Sequence, residues 1–194
     1  MRRFALFLLI LLSVPVLAED RTVDDFESLL RETELNFTPP DGYADLKPAA
    51  NPVLDYERAL RSPDGALEIR LAIRPLKRLR IEYDDPHGSV PDPNHIFPLM
   101  FESLASQLAG GRHAPSNVYS PQDARKRYNA GWAAAAVFDV NARFSERYFQ
   151  GLLLALHRNK VSDAYVVYLF DDYARVKDLI REAMRALVFV DFDG

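Results

Sequence analysis

The chain has 194 residues, of which 48% are hydrophobic, with 24 basic and 28 acidic side chains and no cysteine. This length fits a single domain, which would bury about 70% of the surface of its extended chain. The lack of cysteine excludes disulfides and thiolate metal sites, so stability has to come from a hydrophobic core, and the net charge of −4 argues against nucleic acid as a partner.

The first part of the chain, residues 1–18, has the layout of a secretory signal peptide. A short positive segment precedes the apolar run FALFLLILLSVPVLA (Phe4–Ala18), and small or branched residues stand three and one positions before Glu19. The run is short for a bilayer span, which needs about 20 residues, so an uncleaved membrane anchor is the less favoured alternative. The sequence therefore predicts that residues 19–194 form one soluble exported domain, periplasmic or secreted, with no stable membrane insertion after cleavage.

The beginning of this domain is predicted to contain a short helix, an extended segment and a β-hairpin. Thr22 gives the helix a capping-box-like start. The stretch NFTPPDGY (36–43) then breaks the helix, because two prolines and Asp-Gly favour extended chain and a turn. Ser62–Gly65 carries Pro and Gly where a type I turn requires them, and apolar and polar residues alternate over Leu67–Arg74 as in a half-buried strand. Its predicted hairpin partner is Val53–Leu60.

A long surface loop and a helix are predicted next. Pro75–Asn94 is polar, charged and interrupted by prolines, as is typical of a loop. Asn94 is placed to cap a helix that runs to Leu108, and Gly110 and Gly111 then stop it. The residues predicted to form the buried face of this helix share helical spacing: Phe97, Met100, Phe101, Leu104 and Leu108.

Two further helices are predicted later in the chain. A short one starts at Ser120–Pro121, with proline at its first position, and should end by Asn129 or Gly131. The last helix is the most regular, because apolar residues recur at helical spacing over Val176–Leu187. One of the two aspartates at positions 171 and 172 is expected to cap it.

The stretch YNAGWAAAAVFDVN (128–141) contains Trp132, the only tryptophan of the chain, and is predicted to form a strand. Alanine favours helices, so continuation of the preceding helix is the competing interpretation. Gly131 and the Val-Phe-Asp-Val tail favour a strand over Ala133–Phe138. Trp132 would then lie at its start as a partly buried packing residue, and a binding role is the alternative.

Two more strands, Tyr148–His157 and Tyr165–Phe170, are apolar on both faces. Such strands have to be covered on both faces, and the short connection between them indicates antiparallel pairing. The predicted fold class is α+β, a three-layer α/β/α sandwich with a central, mainly antiparallel sheet covered by helices on both faces. The residues expected to be nearly buried in one core are Leu152, Leu154, Val166, Leu179 and Ile180.

This layout resembles the PsbP-like superfamily. The similarity is carried by the extended stretch FTPPDGY, the central antiparallel sheet and a closing helix that ends in MRALVFV, and it spans most of residues 19–194. The superfamily includes the photosystem extrinsic subunit, a nuclear import factor and exported bacterial proteins of unknown function. The resemblance implies a fold used mainly as a non-catalytic accessory or binding module, and it assigns no catalytic residue to this chain.

The best candidate for a metal site is the loop IEYDDPHGSVPDPNH (81–95), because carboxylates and imidazoles together suit a divalent cation. The candidate ligands are Asp84, Asp85, His87 and His95, with Glu82 and Asp92 in the same loop. Their spacing matches no ligand motif, so a solvated acidic loop is the favoured interpretation. The sequence also lacks the motifs of a nucleophile elbow, a zinc protease helix, a phosphate-binding glycine loop and a dinucleotide fingerprint.

Basic residues gather just before that loop, at Arg70, Arg74, Lys77, Arg78 and Arg80. They are the candidate site for an anionic partner, although a solvated strand face balanced by neighbouring acids is the favoured interpretation.

The leading functional hypothesis is a soluble exported accessory or binding protein that acts without catalysis or cofactor, through a protein or anionic partner. The alternative is a small periplasmic hydrolase or metal-dependent enzyme that uses the 82–95 loop and His157. A concave pocket in which several titratable groups converge would favour the enzyme.

Overall fold

The computed structural model describes residues 23–78 and 93–191. The predicted signal peptide and most of the 82–95 loop lie outside these residues. The helices within the described ranges are α1 (Val23–Glu32), α2 (Pro93–Leu108), α3 (Pro121–Tyr128) and α4 (Tyr173–Ala183). The strands are β1 (Leu35–Phe37), β2 (Ala44–Leu46), β3 (Arg58–Arg61), β4 (Glu68–Pro75), β5 (Ser116–Val118), β6 (Trp132–Asp139), β7 (Gln150–Arg158), β8 (Ser162–Phe170) and β9 (Leu187–Phe189). No helix in the described ranges is both long and apolar enough to cross a membrane.

Seven of these strands form one sheet in the order β2-β3-β4-β8-β7-β6-β5, in which every neighbouring pair is antiparallel. The other two strands, β1 and β9, form a separate antiparallel ribbon. All residues of the central strand β8 are buried, as expected for a strand that is apolar on both faces. The predicted combination of helices with a large antiparallel sheet is confirmed.

The hairpin of β3 and β4 has the turn that its sequence predicts. The amide of Gly65 donates to the carbonyl of Ser62 at 2.9 Å, and Gly65 has a φ of +68°, which glycine adopts without a Cβ clash. The carboxylate of Asp64 accepts from the amide two residues further on and from the Ser62 hydroxyl, and these bonds lower the pKa of Asp64 to about 2. Across the hairpin, Arg61 lies opposite Glu68.

Alternate residues of the long strands enter two hydrophobic clusters. Leu154 and Val166 belong to a cluster that also contains residues of α1, α3, α4 and the β1–β9 ribbon. Their chain neighbours Leu153 and Val167 belong to a cluster that contains Phe101 of α2. Successive side chains of a strand point to opposite faces, so the two clusters lie on opposite faces of the sheet. The cluster that contains Phe101 is called the α2-side cluster.

The expected core is correct for three of its five residues. Leu154, Val166 and Ile180 are buried, but Leu152 and Leu179 are only partly buried and pack against the edge of the cluster. Leu152 lies opposite Val137 of β6, which is 49% exposed, so the sheet is open at this position.

The buried face of α2 is narrower than predicted. Phe101, Ala105 and Leu108 are each at most 1% exposed and form the contact with the sheet. Met100, predicted on the same face, is 47% exposed because it lies one position outside this stripe.

The last helix is shorter than predicted. Asp172 caps α4 by accepting from two amides of its first turn, and the helix ends at Ala183. Leu187 keeps the helical spacing of the preceding apolar residues but lies in β9, opposite Phe37 of β1. The prediction that the helix continues to Leu187 is wrong because the ribbon supplies other partners for these backbone groups.

Candidate functional site

The predicted basic site residues do not form one patch in the described part of the chain. Arg74 on β4 donates to a carboxylate oxygen of Glu57 at 3.0 Å and to the carbonyl of Asp55. These bonds fix the segment before β3 against β4. Arg70 lies four positions earlier on the same strand and contacts a different set of groups.

The other basic candidates follow β4. Lys77 and Arg78 are exposed in a single 3-10 turn, and Arg78 pairs with Glu32 of α1. Arg80 lies outside the described residues.

The guanidinium of Arg70 contacts hydrogen-bond acceptors and aromatic rings of the same chain. Its Nε donates to Glu68 at 2.9 Å, and its Nη1 donates to the carbonyl of Phe144 at 2.8 Å. The rings of Tyr56 and Phe144 lie 5.0 Å and 4.7 Å from the guanidinium carbon, within the range of cation–π attraction. The side chain is 11% exposed. Arg70 therefore holds the Phe144 segment against β4, although the two are far apart in the sequence.

Glu68 joins Arg70 to a second arginine, Arg61, on β3. One carboxylate oxygen of Glu68 accepts from Arg70, and the other accepts from Nη2 of Arg61 at 2.8 Å. Glu68 is only 4% exposed, and its bond to Arg61 raises the pKa of that guanidinium. Arg61 is 31% exposed, and its Nε is buried without a hydrogen-bond acceptor. The three side chains therefore carry one net positive charge, and Arg61 is the more accessible guanidinium.

These side chains line a pocket of about 510 Å³ on the α2 side of the sheet. Its walls are two segments, 46–56 and 144–147. Asn51 joins them by donating to the carbonyl of Phe144 at 2.9 Å. The lining residues are Leu46, Lys47, Ala49, Asn51, Tyr56, Ala59, Arg61, Glu68, Arg70, Phe144, Ser145, Glu146 and Arg147.

The pocket is positively charged although the chain is acidic. Its lining residues include four basic and two acidic side chains, namely Lys47, Arg61, Arg70, Arg147, Glu68 and Glu146. The chain as a whole has a net charge of −4. The local field of the pocket therefore favours an anion. Of these basic residues, only Arg70 was predicted from the sequence as a site residue.

A second pocket of about 510 Å³ lies beside the β1–β9 ribbon, and Arg158 in its lining has a structural role. Arg158 is 3% exposed and donates to Glu34 at 3.1 Å and to the carbonyls of Asn129 and Val190 at 2.9 Å and 2.7 Å. These bonds tie the carboxyl end of the chain to the end of β7.

Trp132 packs under α2, at the start of β6. Its ring makes edge contacts with Phe97 and Phe101, at centroid distances of 4.9 Å and 5.6 Å. It is half-buried and joins the α2-side cluster. Its neighbour on β7 is His157, whose ring stacks on Phe97 at a centroid distance of 3.7 Å.

His157 is 2% exposed, and both of its ring nitrogens are engaged. Nδ1 lies 2.6 Å from a carboxylate oxygen of Asp163, and Nε2 lies 2.8 Å from the side-chain oxygen of Asn159. A general base needs a nitrogen that reaches the substrate. The arrangement instead fits a hydrogen-bonded histidine at the end of a strand.

The candidate metal loop falls mostly outside the described residues. Asp84, Asp85 and His87 lie there, and His95 is exposed near the start of α2. Across residues 23–78 and 93–191, no three His, Asp or Glu side chains are grouped so as to hold a metal ion. Asp171 accepts from the amide of Phe149 at 3.0 Å.

Comparisons with known proteins give structural similarities and no sequence match. No protein-family model matches the chain, and no curated protein matches it. The chain is similar to the solution structure of cyanobacterial PsbP (CyanoP) from Synechocystis sp. PCC 6803, at 12% identity and a TM-score of 0.46, over 81% of this chain and 87% of that chain. No functional residue is carried over from this similarity.

Proposed function

We propose that this chain is an exported, soluble accessory protein that acts by binding a protein or anionic partner and does not catalyse a reaction. The observation that carries the proposal is the pocket between segments 46–56 and 144–147. It combines a partly exposed guanidinium, Arg61, with an excess of basic side chains. A positively charged concave surface on an acidic protein raises the local concentration of an anionic partner and orients it.

The surroundings of His157 support the non-catalytic part of the proposal. This histidine is one of the imidazoles on which the enzymatic alternative depends, and Asp163, Asn159 and the ring of Phe97 enclose it. The lining of the pocket contains no histidine. A hydrolase built on the 82–95 loop would use residues that lie mostly outside the described ranges.

The proposal includes export and a finer description of the fold. Residues 1–18 would be removed, so that the mature protein starts at Glu19, which amino-terminal sequencing of the natural protein tests. Recovery of Met1 in a membrane fraction would contradict export.

The two hydrophobic clusters support a three-layer arrangement, with α2 on one face of the sheet and α1, α3 and α4 on the other.

The binding function is tested by site-specific photo-cross-linking in the native compartment. A photoreactive residue is substituted for Glu146, which is exposed on the rim of the pocket, and as a control for Arg181, which is exposed on α4. We expect one discrete adduct from position 146, none of that mass from position 181, and its loss when Arg61→Met is added. Equal labelling from both positions, or an adduct insensitive to Arg61→Met, would contradict the proposal.

A further inference from the structure

We propose that the pocket binds a carboxylate group and that Arg61 is the residue that receives it. The inference rests on the proposed binding function and names the chemistry of the ligand. It depends on the hydrogen-bonding state of two arginines that share the carboxylate of Glu68.

The two arginines differ in what they can still donate. Arg70 donates to Glu68 and to the carbonyl of Phe144, is enclosed by two aromatic rings and is 11% exposed. Arg61 donates through Nη2 to Glu68, and its side chain is 31% exposed. Arg61 is therefore the more accessible donor for a ligand in the pocket.

The planar guanidinium of Arg61 favours an acceptor with two oxygens. A carboxylate offers two coplanar oxygens at the spacing of the arginine N–H groups, and such bidentate pairs are the strong, directional ones. Glu68 already bonds both arginines, one with each oxygen, and the Tyr148 hydroxyl lies beside Arg61. A ligand would therefore bind the part of the Arg61 side chain that remains exposed.

The charge balance of the pocket leaves room for an anion. The four basic and two acidic side chains of the lining give it a formal charge of +2. A ligand with one carboxylate reduces this excess without reversing it.

The pocket also has room and apolar surface for the body of an organic acid. Leu46, Ala49 and Ala59 line it together with the rings of Tyr56 and Phe144. A volume of about 510 Å³ lies within the range of small-molecule sites. The ligand is therefore an organic carboxylate, either a free acid or the terminal carboxylate of a polypeptide.

The test measures binding to the purified mature protein by titration calorimetry. The probes are succinate, inorganic phosphate, the N-acetylated tripeptide Ala-Ala-Phe with a free carboxyl end, and the same tripeptide as its carboxyl-terminal amide. We expect at least one carboxylate probe to bind, and the amide to bind about tenfold more weakly than the free peptide if the peptide binds. Succinate binding alone would assign a free acid as the source, and peptide binding would assign a polypeptide terminus.

Variants identify the residue that receives the ligand. Arg61→Met should abolish binding, and Arg61→Lys, which keeps the charge but loses the two-pronged donor, should weaken it about tenfold. Arg181→Ala removes one positive charge on exposed α4 and should leave affinity unchanged. If Arg61→Met does not fold by circular dichroism, Arg147→Met on the exposed rim replaces it and should weaken binding about threefold.

Three results would overturn the inference: no carboxylate probe binds, phosphate binds more tightly than every carboxylate, or the free peptide and its amide bind equally. Unchanged affinity in Arg61→Lys would leave charge alone as the basis of binding and would also overturn it. An adduct from position 146 combined with any of these results would keep the proposed binding function and remove only the carboxylate ligand. The two failures are thus distinguishable.

Discussion

Replacing Gly151 with alanine is expected to destabilise the protein, because Phe138 already occupies the space that a methyl group would need. Gly151 on β7 lies directly opposite Phe138 on β6. A Cβ built on Gly151 would lie 2.5 Å from Cζ and 2.6 Å from Cε2 of that ring. Carbon atoms pack best at about 3.5–4.0 Å, so the ring would have to retreat by about 1 Å. Phe138 is 6% exposed and packs within the α2-side cluster, which leaves little space for this shift.

The magnitude follows from two opposing effects. Forcing a methyl group into a packed site costs about 1–3 kcal/mol. Alanine in place of glycine returns about 0.5–1 kcal/mol, because the unfolded chain loses less conformational freedom on folding. We therefore expect the free energy of unfolding to fall by about 1–2 kcal/mol. Urea denaturation should show this as a lower midpoint at an unchanged slope.

Two controls separate the clash from a general effect of alanine. Gly131→Ala places a Cβ 3.5 Å from the carbonyl oxygen of His157, an ordinary contact, and should cost nothing. In a Phe138→Leu background, Gly151→Ala should be neutral or stabilising, which gives an interaction energy of about 1–3 kcal/mol between the two positions. The reasoning is refuted if Gly151→Ala costs the same in both backgrounds or has no effect in the natural sequence.

Three further predictions concern the core, the phenols and the loop. Leu154→Ala should cost about 2–5 kcal/mol in the same urea experiment, and Leu179→Ala clearly less, because Leu154 is fully buried and Leu179 only partly. Equal losses would contradict this difference in burial between the two leucines. Burial, with neighbouring carboxylates, raises the pKa of Tyr43 from 10.0 to about 12, so the unfolded chain ionises at a lower pH than the folded one. The neutral Tyr43 phenol therefore contributes fully to stability below pH 10, and this contribution declines as the pH rises towards 12. A Tyr43 that titrates normally in an ultraviolet titration would disprove this. Adding calcium or zinc should leave the melting temperature unchanged, and so should the substitution His87→Ala. If a cation raises the melting temperature by several degrees and His87→Ala removes this rise, the 82–95 loop contains a cation site.

Sequence patterns predicted the central strands because their evidence is local. The strands that contain Leu154 and Val166 are apolar on both faces and joined by a short turn, so their pairing follows from the chain order. The β1–β9 ribbon could not be found in this way. Each of its strands has three residues, and its pairs, such as Leu35 with Phe189, come from opposite ends of the domain. Three-residue strands carry too short an alternation to be distinguished from loops.

The candidate site was predicted only in part for a related reason. Alternation along β4 assigned Glu68 and Arg70 to a polar face, and polar faces are usually solvated. In the structure that face is covered by the segment around Phe144, so Glu68 is 4% exposed. Arg61 was missed because the connection between β3 and β4 did not fix which residue lies opposite Glu68. The opposite charges of the two residues were the one local signal for this pairing.

The central claim is that Arg61 receives an anionic group in the pocket, and the Nε–H resonance of Arg61 in a ¹H–¹⁵N spectrum tests it most directly. This resonance is assigned by its absence in Arg61→Lys and followed during titration with the free tripeptide and with succinate. The account predicts that it shifts in a saturable manner, while the Nε–H resonance of Arg181 on α4 stays in place. An Arg61 signal that does not move while the amides of other parts of the chain do would contradict it.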